Sequence, residues 1–198
     1  LVEDDPVHGL HVGAHEFEIT TFRGDAYEPG SRKPVVAFAN TIDSDLARRD
    51  FTINAMAVNA ETGELHDPFG GRRDLESHVL RTPLGADASF SDDPLRMLRA
   101  ARFLARFDLV PAPDIEEAIE RHRDRLVIVS AERVRGELHK LFAGHDASRG
   151  LAFLMRHRLL ERWIPELAGL ATVHDPAHGG IDAFEHTCAV IAHSPADA

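Results

Sequence analysis

The sequence predicts an α+β fold, mixed over its first third and helical after that. Two observations carry the division. β-Branched and aromatic residues cluster between turn residues before residue 80, whereas after Arg81-Thr82-Pro83 strong helix formers recur between capping signals. A third observation sets the scale: 198 residues at 43% hydrophobic composition supply one good core, or a modest core and a second small one.

Within the first third, Glu16 to Arg23 is rich in strand formers and reads as a strand leading to a turn at Gly24-Asp25. Pro29 to Lys33 reads as a loop and Pro34 to Ala39 as a second short strand. Asp50 to Val58 then leads to a turn at Glu61-Thr62-Gly63-Glu64 and on to Leu65-His66-Asp67-Pro68-Phe69-Gly70-Gly71. In the helical part, Asp92-Asp93 offers capping carboxylates and Pro94 suits a first turn, opening a helix over Leu95–Phe107. Further helices are expected over Asp114–Asp124, Ala131–Phe142 and Ser148–Leu160, with Ser130 as an N-cap and Gly144 as a stop.

The net charge is −11, which disfavours a chain that coats nucleic acid non-specifically. Of the 22 basic residues only Lys33 and Lys140 are lysines, so the positive charge rests on arginine, the side chain suited to planar contacts with phosphates and base edges. The single cysteine, Cys188, has no disulfide partner within the chain and reads as a small buried residue. No apolar stretch approaches the ~20 residues of a membrane helix, and no secretory signal is evident, so no membrane role and a cytoplasmic location are expected.

At about 100° per residue, Arg96, Arg99, Arg102 and Arg106 share an arc of roughly 120°, opposite Met97, Leu98, Ala101 and Leu104. One face of the helix packs and the other presents guanidinium groups. Four such groups repel one another unless anions lie nearby, and the only acids in the stretch, Asp92 and Asp93, stand at its start. The row suits a triphosphate or a polynucleotide backbone.

The run Asp92-Asp93-Pro94-Leu95-Arg96-Met97-Leu98-Arg99-Ala100-Ala101-Arg102-Phe103 resembles the neck-helix signature of class II CCA-adding enzymes and bacterial poly(A) polymerases, with Asp92 where that family usually has glutamate. Upstream, Arg48-Arg49-Asp50-Phe51-Thr52-Ile53-Asn54-Ala55 is similar to the family's ribose-holding segment, and the two motifs follow in the family's order about forty residues apart. The resemblance covers roughly residues 9 to 190. It implies that Asp93 and Arg96 hydrogen-bond the edge of the incoming base in place of a template. It further implies that Arg99 and Arg102 contact the nucleotide through its phosphates, and that Arg49, Asp50 and Asn54 hold the ribose. Glu18 stands on the strand that in this superfamily supplies the third acidic residue of the metal site, so it is the candidate catalytic ligand of Mg²⁺.

The same resemblance divides the chain into 1-80, the C-terminal part of a nucleotidyltransferase head or palm; 81-145, an all-helical neck carrying the nucleotide-selecting helix; and 146-198, a helical body with the start of an HD-like domain. The implied activity is addition of CMP and AMP, from CTP and ATP, to the 3′ end of tRNA. Alternatives are a poly(A) polymerase, which shares both arginine motifs, a metal-dependent phosphohydrolase of the HD type, and a non-catalytic RNA-binding piece. The family places a glycine loop and an Asp-x-Asp pair before the strand of Glu18, and only seventeen residues precede Glu18. Leu1 is not an initiator methionine, and the chain stops shortly after a helix has begun. The expectation is an internal fragment that does not transfer nucleotides by itself. Asp43-Ser44-Asp45 spells Asp-x-Asp but lies in the lead-in to the arginine segment and is not taken as the catalytic pair.

The chain most resembles the actinobacterial type of the family. In that type His186, in Asp182-Ala183-Phe184-Glu185-His186-Thr187, aligns with the first ligand position of the HD-like domain, and His174-Asp175 is read as coincidence. Gly180 and Ile181 stand where relatives often have histidine and lysine. Asp67-Pro68-Phe69-Gly70-Gly71 resembles the join between head and neck, where the glycines would permit unusual backbone geometry.

Overall fold

The computed structural model describes the backbone of residues 8–12, 15–19, 23–26 and 35–38, and residues 41–173 and 182–193 in full. Contacts divide the chain into two compact units, Leu1–Arg48 and Arg49–Ala198.

Among the described residues, the first unit holds two antiparallel strand pairs and a short helix. Strand β1 (His8–Val12) pairs with β2 (His15–Ile19), with Glu18 opposite Gly9. Strand β3 (Arg23–Ala26) pairs with β4 (Val35–Phe38). The single strand expected over Glu16–Arg23 is therefore two, and Gly24-Asp25 lies within β3, opposite Ala37 and Val36, rather than forming a turn. The stronger punctuation is the later group Pro29, Gly30 and Pro34. The expected loop Pro29–Lys33 lies outside the described residues. Helix α1 (Ile42–Ala47) starts at Thr41, whose hydroxyl accepts from the Ser44 amide at 3.3 Å.

The second unit begins with a 3₁₀ turn over Thr52–Asn54 and a two-residue pair, β5 (Ala57–Val58) with β6 (Leu65–His66). The expected turn joins these strands: the Asn59 side chain accepts from the amides of Glu61 and Thr62, and Gly63 takes φ +72°. Helix α2 (Gly71–Glu76) is capped by Asp67, which accepts from the Gly71 and Arg72 amides at 2.7 and 3.0 Å. The two glycines of the join do different things. Gly70 is left-handed at φ +72°, whereas Gly71 is needed for space, because a Cβ there would sit 2.1 Å from the Thr52 carbonyl oxygen.

The chain after Arg81 is not purely helical. Val79–Leu80 (β7) pairs in parallel with Val110–Pro111 (β8). Around this pair lie α3 (Ala86–Asp92), α4 (Leu95–Arg106), α5 (Pro113–His122) running into a 3₁₀ segment over Arg123–Ile128, α6 (Ala131–Phe142) and α7 (Ala147–Arg156). Then follow α8 (Pro165–Gly169) and α9 (Ala183–His193). Helix α4 is the axis of the core: Met97, Leu98, Ala100, Ala101 and Leu104 are buried, together with Phe51, Phe90, Ile115, Ile119, Leu141 and Leu154. Its tight contact with α7 rests on Gly150, where a Cβ would stand 3.1 Å from the Ala101 carbonyl oxygen. Cys188 is only half-buried, with burial and the acids Asp182 and Glu185 raising its thiol pKa.

Candidate nucleotide site

Asp93 and Pro94 open α4. The Asp93 carboxylate accepts from the Leu95 amide at 3.1 Å, as a cap does, while Asp92 belongs to the end of α3. The second Asp93 oxygen accepts from Arg133 Nη2 of α6 at 2.8 Å. One turn on, half-buried Arg96 donates through Nη1 to the Ser89 hydroxyl at 2.9 Å. The proposed selecting pair thus lies at the N-terminal end of α4, with α3 and α6 supplying its supports.

The middle of the arginine row differs from the expectation of a face open to solvent. Arg102 is buried, 8% exposed, and donates through Nε to Glu137 Oε2 at 2.7 Å. Arg99 donates through Nε and Nη2 to Asp50 Oδ2 at 2.8 and 2.5 Å, and through Nη1 to Glu137 Oε1 at 3.3 Å. The anions that relieve repulsion among the arginines come from the protein: Asp50 from the segment before the 3₁₀ turn, Glu137 from α6. Burial works against the charge on Arg99, but Asp50 and Glu137 outweigh it and raise its pKa. Arg102 stacks over the Phe103 ring at 4.4 Å, and Phe103 meets Phe51 edge-on at 5.3 Å. Arg106, at the far end of the row, stays exposed.

Asp50 is buried, 8% exposed. Its Oδ1 accepts from the Phe51 amide at 2.9 Å and from Asn54 Nδ2 at 3.0 Å. With the two bonds from Arg99, all of the roughly four acceptor positions of a carboxylate are filled. Asp50 therefore orients Asn54 and Arg99, and Asn54 retains its carbonyl oxygen for a further partner. Arg49 is exposed beside it. The two sequence motifs thus meet through the Arg99 guanidinium on Asp50 and through the Phe51–Phe103 ring contact. Sequence reasoning missed Glu137, Arg133, Ser89 and Lys140, the last of which reaches Glu137 at 3.6 Å. Arg133 and Glu137 stand one turn apart on α6, a spacing visible beforehand without any sign of its target.

Glu18 lies on β2, in the other unit, and its side chain is outside the described residues. Asp45 accepts from Arg48 at 2.8 Å and is 6% exposed. Among the described residues no three His, Cys, Asp or Glu side chains gather closely enough to hold a metal ion. His186 is exposed on α9, while His174-Asp175, Gly180 and Ile181 lie outside the described residues.

Residues 4–81 match the poly A polymerase head domain, and residues 108–170 match the probable RNA and SrmB-binding site of polymerase A. The CCA-adding enzyme of Geobacillus stearothermophilus is 40% identical over 166 residues, covering 82% of this chain. The chain belongs to the family of CCA-adding enzymes and poly(A) polymerases. A second CCA-adding enzyme, from Bacillus subtilis strain 168, is 40% identical over 146 residues, 73% of this chain and 36% of its own length. The fold agrees. The crystal structure of Bacillus stearothermophilus CCA-adding enzyme in complex with CTP superimposes with a TM-score of 0.68 at 38% identity, over 76% of this chain and 36% of that one. Thermotoga maritima CCA-adding enzyme complexed with tRNA_CCA gives 0.60 at 35% identity, over 67% of this chain and 33% of that one. The chain spans 41% of the length of the G. stearothermophilus enzyme, and the α+β expectation of a head followed by helices holds.

Proposed function

We propose that the protein carrying this chain adds CMP and AMP, from CTP and ATP, to the 3′ end of tRNA. The observation that carries the reading is the junction of the two motifs: Asp93 and Arg96 open α4, and one turn further along the same helix Arg99 grips Asp50, which holds Asn54.

Each group has chemistry suited to its part. Asp93 accepts from the exocyclic amino group that C and A share, and Arg96 donates to the neighbouring ring nitrogen or carbonyl. U and G present a carbonyl where C and A carry the amino group, so the carboxylate meets another acceptor and the contact is lost. Asn54, aimed by Asp50 and flanked by Arg49, addresses the ribose hydroxyls. Arg99 and Arg102, whose guanidinium planes are held by Asp50 and Glu137, would contact the phosphates. The tRNA 3′ oxygen attacks the α-phosphorus, the bond to pyrophosphate breaks, and the hydroxyl proton leaves to solvent. Mg²⁺, with Glu18 among its carboxylates, belongs to the same proposal. So do the boundaries of head (1-80), neck (81-145) and body (146-198), and a cytoplasmic location; among the described residues no helix is long and apolar enough to cross a membrane.

The test is incubation of the whole protein with tRNA lacking its CCA end, Mg²⁺ and each nucleotide alone or in sequence. Addition of C, C and then A supports the reading. Repeated A addition supports the poly(A) polymerase alternative, and no addition overturns both.

A further inference from the structure

Glu137 is 5% exposed, and its polar partners among the described residues are three cations: Arg102 at 2.7 Å, Arg99 at 3.3 Å and Lys140 at 3.6 Å. A carboxylate in such a place is costly unless paired, and once paired it holds the side chains that pair with it. Its hold on Arg99 has a longer reach. The Arg99 guanidinium is planar, and its Nη1 lies on Glu137 while Nε and Nη2 lie on Asp50. The two carboxylates fix the plane between them. Asp50 in turn fixes the Asn54 amide. A relay therefore runs from Glu137 through Arg99 and Asp50 to Asn54, with Arg102 as a branch. The cations Arg99, Arg102 and Lys140 exceed Asp50 and Glu137 by one charge, which leaves the cluster able to accept a phosphate. Asp93 and Arg96 are not among the partners of Glu137.

We infer that Glu137 is a positioning residue for the sugar and phosphates of the bound nucleotide, acting through Arg99 and Arg102, and that it takes no part in choosing the base. This rests on the nucleotide-transfer reading above and extends it to a residue outside both arginine motifs. Glu137 makes the two arginines a fixed pair of donors and keeps Asp50 oriented so that Asn54 faces the ribose.

The experiment is single-nucleotide addition by the whole protein with CTP, dCTP and UTP, for wild type, Glu137→Gln and Glu137→Ala. Thermal unfolding is recorded on the same samples. Gln keeps the shape and one acceptor oxygen but loses the charge. The expected result is a KM for CTP raised about tenfold or more in Glu137→Ala and by less in Glu137→Gln, in line with the loss of charge-assisted hydrogen bonds. The preference for CTP over dCTP falls in both, while the preference for CTP over UTP holds within about twofold. A CTP-over-dCTP preference unchanged in both variants overturns the inference, as does a parallel collapse of sugar and base preference. If Glu137→Ala does not fold, Glu137→Gln decides by the same two ratios. Failure of the wild type to add C at all overturns the transfer reading itself and is distinguishable from these outcomes.

Discussion

Arg99 grips one oxygen of Asp50 with two of its nitrogens, at 2.8 and 2.5 Å, across 49 residues of sequence. Asp50 is 8% exposed and the Arg99 side chain 28% exposed, so most of the contact is withdrawn from water. Without Asp50, Arg99 keeps only the longer contact with Glu137 at 3.3 Å. Asp50→Ala is expected to destabilise the protein by about 3 kcal/mol, since it strips Arg99 of its main counter-charge and Asn54 of its anchor. Urea unfolding measures this, and a loss below about 1 kcal/mol, the range of an exposed pair, would contradict the burial argument.

Gly71 gives a prediction of a different kind. A Cβ at this position would meet the Thr52 carbonyl oxygen at 2.1 Å, and backbone cannot step aside as a flexible side chain can. Gly71→Ala should cost at least about 2 kcal/mol through overpacking. Gly70→Ala should cost about 1 kcal/mol through its left-handed φ alone. Denaturant midpoints of the two variants check the order, and a larger loss at Gly70 would be contrary to it.

His157 makes stability depend on pH. It is 5% exposed against Phe153, its buried Nε2 has no hydrogen-bond partner among the described residues, and Glu116 and Glu120 of α5 each stand 3.8 Å from a ring nitrogen. Burial lowers its pKa more than the two glutamates raise it, with Arg156 adding to the lowering. The unfolded chain therefore takes up the proton first as pH falls. The contribution of His157 is fully present above about pH 6.5 and is lost as pH drops toward the folded-state value. The slope of unfolding free energy between pH 7.5 and 5.5 should be shallower in His157→Phe than in wild type, and equal slopes would count against this account.

Much of this fold was legible in the sequence where signals are local. Helix α6 runs over Ala131–Phe142, the span that Ser130 and Gly144 delimit, and α4 begins where Asp93 and Pro94 place it. The burial of Arg102 was not legible. Helical spacing shows which arginines share a face, but the carboxylate that neutralises them, Glu137, comes from a helix 35 residues on. Strands β7 and β8 are two residues each, too short for a period-2 pattern, and they pair across some 30 residues of sequence, both lying against α4. The role of Gly71 depends on Thr52, a distant neighbour in sequence, whereas the left-handed turn at Gly70 is a local property that glycine announces.

In the proposed reading, side chains at the start of α4 choose the base. Its most direct test is single-nucleotide addition by the whole protein with CTP, ATP, UTP and GTP, comparing wild type with Arg96→Ala. Arg96 is held by Ser89 and lies outside the Asp50–Arg99–Glu137 pairing, so its loss should spare ribose and phosphate contacts. The wild type is expected to favour C and A over U and G. In Arg96→Ala that preference should shrink by about tenfold or more, within the ~1–3 kcal/mol that a paired base-edge contact contributes to discrimination. An unchanged preference in Arg96→Ala would contradict the account.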